Sequence, residues 1–279
     1  MSQNQSVQAR RRFQELAALP PSEIPLAETA LWIAAESRPQ LDVSYWLSEL
    51  ATLAERFRPH CSLADTELHR VEIFNRIFFQ TEGFSGNTKN YSDPANSFLN
   101  SVLETRKGIP ITLAIVYLEI SRKLGLQSAG VGFPGHFLVK VHADSRELIV
   151  DPFFGELLSP ANCEERLQKL LGNHSALTPE MLETVSTKDI ILRVLRNLKL
   201  IYVSRKQFEE ALACSERILI CGDDLEEIRD RGLIYRQLGC ARPALADLER
   251  YIAHAPGDPQ LVPLTEIIRD LRIRARQVH

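Results

Sequence analysis

Residues 96–153 read NSFLNSVLETRKGIPITLAIVYLEISRKLGLQSAGVGFPGHFLVKVHADSRELIVDPF. The period of the apolar residues changes once within this stretch, and that change decides the fold. From Pro110 the apolar positions Leu113, Val116, Tyr117, Ile120 and Leu124 keep helical spacing. Pro110 suits a first helical turn, where its missing N–H costs nothing, and Gly125 suits the end. Apolar residues also occupy the other faces, which predicts a helix buried on several sides. Beyond Gly125 the period becomes two. Ala129–Phe133, Phe137–Val141 and Leu148–Val150 read as strands, with Ala143-Asp144-Ser145 as a hairpin turn.

The strands carry the chemistry. His136 opens one and Asp151 closes the next, so imidazole and carboxylate are expected side by side. The carboxylate then fixes the ring tautomer and stabilises the imidazolium, which is the base-and-orienter half of a triad. A nucleophile belongs in the first turn of the preceding helix, where the dipole favours a thiolate.

Three motifs together, GIPITLAIVYLEISRKLGL, GHF and DP, resemble the transglutaminase-like (papain-like Cys-His-Asp) superfamily. With NSFLNSVLETRK in front, the pattern is similar to the bacterial SirB-type family over roughly residues 30–260. That resemblance implies an α+β domain, a papain/transglutaminase-like antiparallel sheet with a central helix, joined to all-α tetratricopeptide-like helices. It assigns the histidine role to His136 and the aspartate role to Asp151, and places Pro110 where the family pattern has its cysteine. The thiol is absent, so the pair reads as a vestigial dyad. Thr112 is the fallback nucleophile, although a hydroxyl needs an adjacent base. Cys61 and Cys163 qualify only if the fold brings one to His136. The family name is associated with invasion-gene regulation, which suggests an adaptor role.

Several neighbours suit ligand binding. Arg106 and Glu104 are candidate binding residues before the helix, with Arg106 placed to clamp an anion near the helix start, unless it pairs with Glu104 or another acid. Asn96 and Asn100 either cap helices or line the same pocket. Phe133, Phe137, Phe153 and Phe154 read as core or pocket wall.

Upstream, the apolar spacing predicts a helical N-terminal segment from residue 8 to about 80, punctuated by Pro20, Pro21, Pro25 and Pro39. Residues 81–96 are polar and rich in Gly, Asn and Ser, and read as a long surface loop. Phe153 onward is expected to leave the sheet for a helix near Ala161–Leu171. Gly, Asn, Ser and Pro then crowd into 172–179, which sets expected domains at 1–175 and 176–279. After Pro179 the chain is helical and repeats itself. Tyr202 and Tyr235, and Ala211 and Ala244, are each 33 residues apart, and Pro256 follows. This period is that of paired-helix repeats with small residues at close helix contacts. The charged segment Cys221–Arg231 reads as a solvated face and turn.

The 279 residues are 44% apolar and 25% charged, with a net charge of −3. That suits a soluble globular chain with a substantial core. No apolar run approaches the roughly 20 residues that span a bilayer, and MSQNQSVQARRRF lacks the apolar region of a secretory leader. No basic stripe or helix-turn-helix pattern supports direct nucleic-acid contact. The five cysteines are dispersed, with no C-x-x-C pair, so no metal site or cofactor is expected and a cytoplasmic setting is. The favoured expectation is a non-catalytic interaction or regulatory protein that meets a protein or peptide through its C-terminal helices. The alternative is a hydrolase or acyltransferase of altered chemistry using His136 and Asp151.

Overall fold

The computed structural model describes residues 2–255 and 261–277. The chain divides into two compact units, 1–194 and 195–279.

In the first unit, helices α1 (Ser2–Ala17), α2 (Leu26–Ser37), α3 (Val43–Cys61) and α4 (Glu67–Arg76) form the helical N-terminal segment. A wide π-type turn, Ile77–Thr81, ends it. Local chemistry sets the starts: the Asp42 and Thr66 side chains accept the N–H of Tyr45 and His69. Next come β1 (Ser85–Gly86), α5 (Leu99–Thr105), β2 (Lys107–Gly108) and α6 (Pro110–Lys123). Helix α6 is buried at every position from Pro110 to Ser121. Its Tyr117 ring meets Phe74 at 4.6 Å and Phe78 at 5.2 Å. The phenol donates to Asn75 Oδ1 at 2.7 Å, which satisfies the buried hydroxyl.

Strands β3 (Gln127–Val131), β4 (Leu138–Ala143), β5 (Arg146–Asp151) and β6 (Glu156–Leu158) form an antiparallel sheet in sequence order. Ala143 pairs with Arg146, so the hairpin turns on Asp144 and Ser145, with Asp144 at φ 53°. The α+β class expected from the sequence is the one observed.

Three features depart from the sequence reading. The chain does not leave the sheet at Phe153. It turns through 152–155 and returns as β6, where Asp151 pairs with Glu156. Residues 81–96 are not a free loop. β1 pairs in parallel with β2, Gly86 N donates to Phe153 O at 2.8 Å, and Asn87 N donates to Gly108 O at 2.9 Å. Gly86 is required there, because a methyl group would overlap the Phe153 ring. Finally, 172–179 does not separate the compact units. Leu177, Met181 and Leu182 pack on the cluster of Val131, Phe133, Leu138 and Cys163. Val185 N donates to Gly130 O at 2.9 Å. Burial therefore draws 177–194 into the first unit, and helix α7 (Pro160–Leu171) is not its last element.

The second unit takes the C-terminal half of α8 (Thr187–Ser204), then α9 (Phe208–Cys221), α10 (Leu225–Gln237), α11 (Ala241–His254) and α12 (Leu261–Gln277). Helix α10 packs on α9 and α11, and α11 on α12. The 33-residue period is visible in hydrogen bonds. Gln207 N donates to Tyr202 O and Cys240 N to Tyr235 O, both at 2.9 Å. The preceding residues, Lys206 and Gly239, are both left-handed, at φ 59° and 74°. Ala211 and Ala244 then lie fully buried at equivalent places in α9 and α11. Pro256 lies outside the described residues. The segment 221–231 is not simply solvated: Glu227 is buried, bonded to Lys199 Nζ at 2.6 Å and to the Ser215 hydroxyl.

Candidate functional site

The β4–β5 register sets His136, two residues before β4 begins, beside Asp151, the last residue of β5. Gly135 lets the chain turn into this position. It is left-handed at φ 64°, and a Cβ there would reach 2.5 Å from Leu170. His136 N donates to Phe133 O at 3.1 Å, which closes the turn. His136 Nε2 lies 2.9 Å from Asp151 Oδ2. The histidine side chain keeps 17% of its surface and Asp151 none.

Asp151 is saturated. Oδ1 accepts the N–H of Phe153 at 2.8 Å and of Phe154 at 3.2 Å. Oδ2 accepts from His136 and also from Arg166 of α7. Burial pushes this carboxyl up. The His136 hydrogen bond, the charges of His136 and Arg166 and the Phe153 N–H outweigh it and hold the group below the usual carboxylate range. Ionised Asp151 thus accepts the Nε2–H hydrogen bond, and Nδ1 has no hydrogen-bond partner among the described residues. Arg166 also reaches Glu156 Oε2 at 2.7 Å. Its guanidinium lies 5.0 Å from the centre of the Phe154 ring, whose face is stacked against His136 at 6.1 Å and 15°. The Phe153 ring meets His136 at 6.0 Å, nearly perpendicular at 86°. Phe133, Phe137 and Phe153 are buried, whereas Phe154 is 56% exposed and is wall rather than core.

Arg166 changes what the pair can do. A triad carboxylate stabilises the imidazolium with its full negative charge. Here one oxygen is shared with a permanent cation, so the charge available to His136 is smaller. Nothing in the sequence signalled this residue, which sits in an ordinary charged helix, EERLQK.

Among the described residues no nucleophile candidate is hydrogen-bonded to His136. Pro110 is buried at the first position of α6. Thr112 is buried, and its hydroxyl bonds Asn96 O at 2.7 Å and Ile109 O at 3.1 Å and accepts Ile109 N at 3.2 Å. It is a helix-start bracket, and none of these bonds goes to His136. Cys61 and Cys163 are buried free thiols that burial pushes up. Cys163 is within electrostatic reach of Asp151 and Arg166 and sits in the apolar cluster of Val131, Phe133 and Leu138.

The other named residues take structural positions. Arg106 ends α5 in a left-handed conformation and pairs with Glu82 at 3.3 Å, over the Phe84 ring at 4.8 Å. Glu104 is exposed on α5. Asn96 is not a cap: Asp93 caps the short 3₁₀ turn Pro94–Ser97 through Ala95 N. The Asn96 amide instead ties its own loop, donating to Asn90 O at 2.7 Å and Tyr91 O at 3.1 Å and accepting from Asn87. Asn100 is buried, and its Oδ1 has no partner among the described residues. Among the described residues no group of three or more His, Cys, Asp or Glu side chains is placed to hold a metal. No helix among them is long and apolar enough to cross a membrane.

Comparison with known proteins places this geometry. Residues 44–196 match the family model of the transglutaminase-like superfamily, and 198–269 match a tetratricopeptide repeat model. The chain is 35% identical over 272 residues to a UPF0162 protein of Xylella fastidiosa, covering 96% of this chain and 97% of that protein. A UPF0162 protein of Vibrio cholerae is 35% identical over 236 residues, 84% of this chain and 87% of its own. Protein SirB1 of Salmonella typhimurium is 28% identical over 247 residues, 88% of this chain and 90% of its own. No solved structure matches. The chain belongs to the transglutaminase-like superfamily and, within it, to the SirB1/UPF0162 family.

Proposed function

We propose that this member of the SirB1/UPF0162 family is a non-catalytic interaction or regulatory protein, in which a degenerate transglutaminase-like domain is a scaffold and the C-terminal helices receive a protein or peptide. The observation that carries this reading is the saturation of Asp151 by Arg166 and two backbone N–H groups, in a chain whose helix start has Pro110 at the position of the family's cysteine. Catalysis needs a nucleophile within about 3 Å of the base, and His136 has no hydrogen-bonded nucleophile among the described residues. Tetratricopeptide helices bind proteins in general. In the second unit the exposed Leu200 and Val203 border a surface cavity of about 560 Å³ that also takes in Phe208 and Leu233. Exposed apolar side chains around a cavity suit a partner's apolar residues. A cytoplasmic setting is part of the proposal.

The second reading, an acyltransferase or hydrolase of altered chemistry, is favoured by the 2.9 Å His136–Asp151 pair, which leaves Nδ1 open to a water or a substrate hydroxyl. Steady-state turnover of ester, amide and glutamine acyl-transfer substrates, in the native chain and in His136→Ala, separates the two. The proposal expects no turnover that depends on His136. Turnover abolished by His136→Ala overturns it.

A further inference from the structure

Strand β3 is an edge of the four-stranded sheet, and its outer side is only partly covered. At one end Val131 bridges Thr184 in the antiparallel sense, and Gly130 O accepts Val185 N at 2.9 Å. Gly130 therefore turns its backbone away from β4. In an antiparallel pair each residue turns its N–H and C=O to the same side, and the sides alternate along the strand. The Gly130 N–H and both backbone groups of Ser128 thus face outward too. No protein group among the described residues bonds any of these three. Gly130 is buried, and a buried N–H without an acceptor is costly. Unpaired groups along an edge are a template for another strand.

The space beside this edge indicates what would pair with it. Ser128, Ala129 and Gly130 border a cavity of about 450 Å³. Leu26 of α2, Leu118 of α6 and Ile190 of α8 give it an apolar lining. Among the described residues Arg122 is the charged member of that lining, and it pairs with Glu119 at 3.1 Å. Its charge is compensated, so the cavity suits an uncharged side chain. Side chains alternate between the two faces of a strand. A strand laid against β3 would turn every second residue toward α6, the face on which the Ser128 hydroxyl meets that of Ser121.

We propose that the open part of the β3 edge takes an extended, uncharged segment of a partner protein as a fifth strand, bonded to the backbone of Ser128 and Gly130 and anchored by one apolar side chain in the cavity. The chain's own Thr184 and Val185 already sit on the same edge in this manner, and the partner segment would continue their line. In this mode main-chain hydrogen bonds supply affinity and a pocket for alternate side chains supplies specificity. The site lies in the first unit and goes beyond the partner reading for the C-terminal helices, so either can fail without the other.

The test is titration of the full, isotope-labelled chain with an acetylated and amidated heptapeptide of alternating threonine and leucine, followed by amide hydrogen exchange. Exchange at the Ser128 and Gly130 amides should slow at least roughly tenfold when the peptide binds. Two further forms of the peptide carry N-methyl groups on alternate residues, one form on the odd and one on the even positions. The form methylated on the side that faces β3 should bind at least roughly tenfold more weakly, and the other like the parent. Ser128→Pro removes an N–H that faces away from β4, a position where an edge strand tolerates proline, and should weaken the parent peptide by a similar factor. The proposal is overturned if the peptide does not bind, if it binds with Ser128 and Gly130 exchange unchanged, if the two methylated forms bind alike, or if Ser128→Pro leaves the affinity unchanged. Protection of both amides in the peptide-free chain that rises with chain concentration assigns the edge to a second copy and overturns it as well. Should Ser128→Pro not fold, the exchange rates and the methylated peptides decide on the native chain.

Discussion

Removing the Asp151 carboxylate is the perturbation with the largest calculable effect on the site. Four donors converge on this fully buried group: His136 Nε2, Arg166, and the N–H groups of Phe153 and Phe154. Asp151→Ala strands both backbone N–H groups, and each unpaired buried donor costs about 1–3 kcal/mol. Arg166 keeps Glu156, so its loss adds less. The sum is about 3–5 kcal/mol, the range for breaking a buried ion pair. Asp151→Asn keeps one oxygen for the two backbone donors but turns an NH2 toward His136 and Arg166, which costs about 2 kcal/mol. Urea unfolding followed by tryptophan fluorescence measures this, because both tryptophans, Trp32 and Trp46, lie in the first unit. The pH dependence has a fixed sign. The folded carboxyl is held below its unfolded value, so its stabilisation is present above the unfolded value near pH ~4 and is lost as pH falls through the folded one. The gap between native chain and Asp151→Asn should therefore close on acidification. Destabilisation below about 1 kcal/mol in both variants at pH 7, or a gap that widens in acid, would refute the reasoning.

Three further perturbations follow from the packing. Thr112→Val removes a buried hydroxyl bonded to Asn96 O and Ile109 N. It should cost about 1–3 kcal/mol in the same unfolding assay and change no acyl-transfer rate; a rate change would make Thr112 a participant. Gly86→Ala forces the Phe153 ring aside and should cost about 1–3 kcal/mol while shifting the His136 imidazole resonances. Native stability with unshifted resonances would contradict the close approach. In the second unit, Glu227→Ala leaves buried Lys199 with Asp230 alone. It should cost about 3–5 kcal/mol, read as loss of helical signal on heating, and a near-native melt would count against a buried ion pair.

How much was legible in the sequence depended on how local the signal was. The change of apolar period at Gly125, the Pro110 helix start and the hairpin at Asp144 are set by residues a few positions apart, and all are seen in the structure. The 33-residue offset was readable because identical turns recur, and the bonds at Tyr202 and Tyr235 repeat it. Contacts between distant segments were not readable. The two-residue pairing of β1 with β2 has no pattern long enough to detect, and Gly86 reads as loop until Phe153 is seen against it. Arg106 finds Glu82, 24 residues away, rather than adjacent Glu104. Arg166 reaches the dyad from a helix whose sequence shows only surface charge. This cation, sharing the charge of Asp151, separates the site from a bare His–Asp pair.

The central claim is that His136 no longer activates a nucleophile. Intact-mass analysis of the native chain after incubation with an activated acyl ester, beside His136→Ala, tests it most directly. The account predicts no acyl adduct that depends on His136. A stoichiometric adduct on a hydroxyl or thiol of the native chain, absent from His136→Ala, would contradict it.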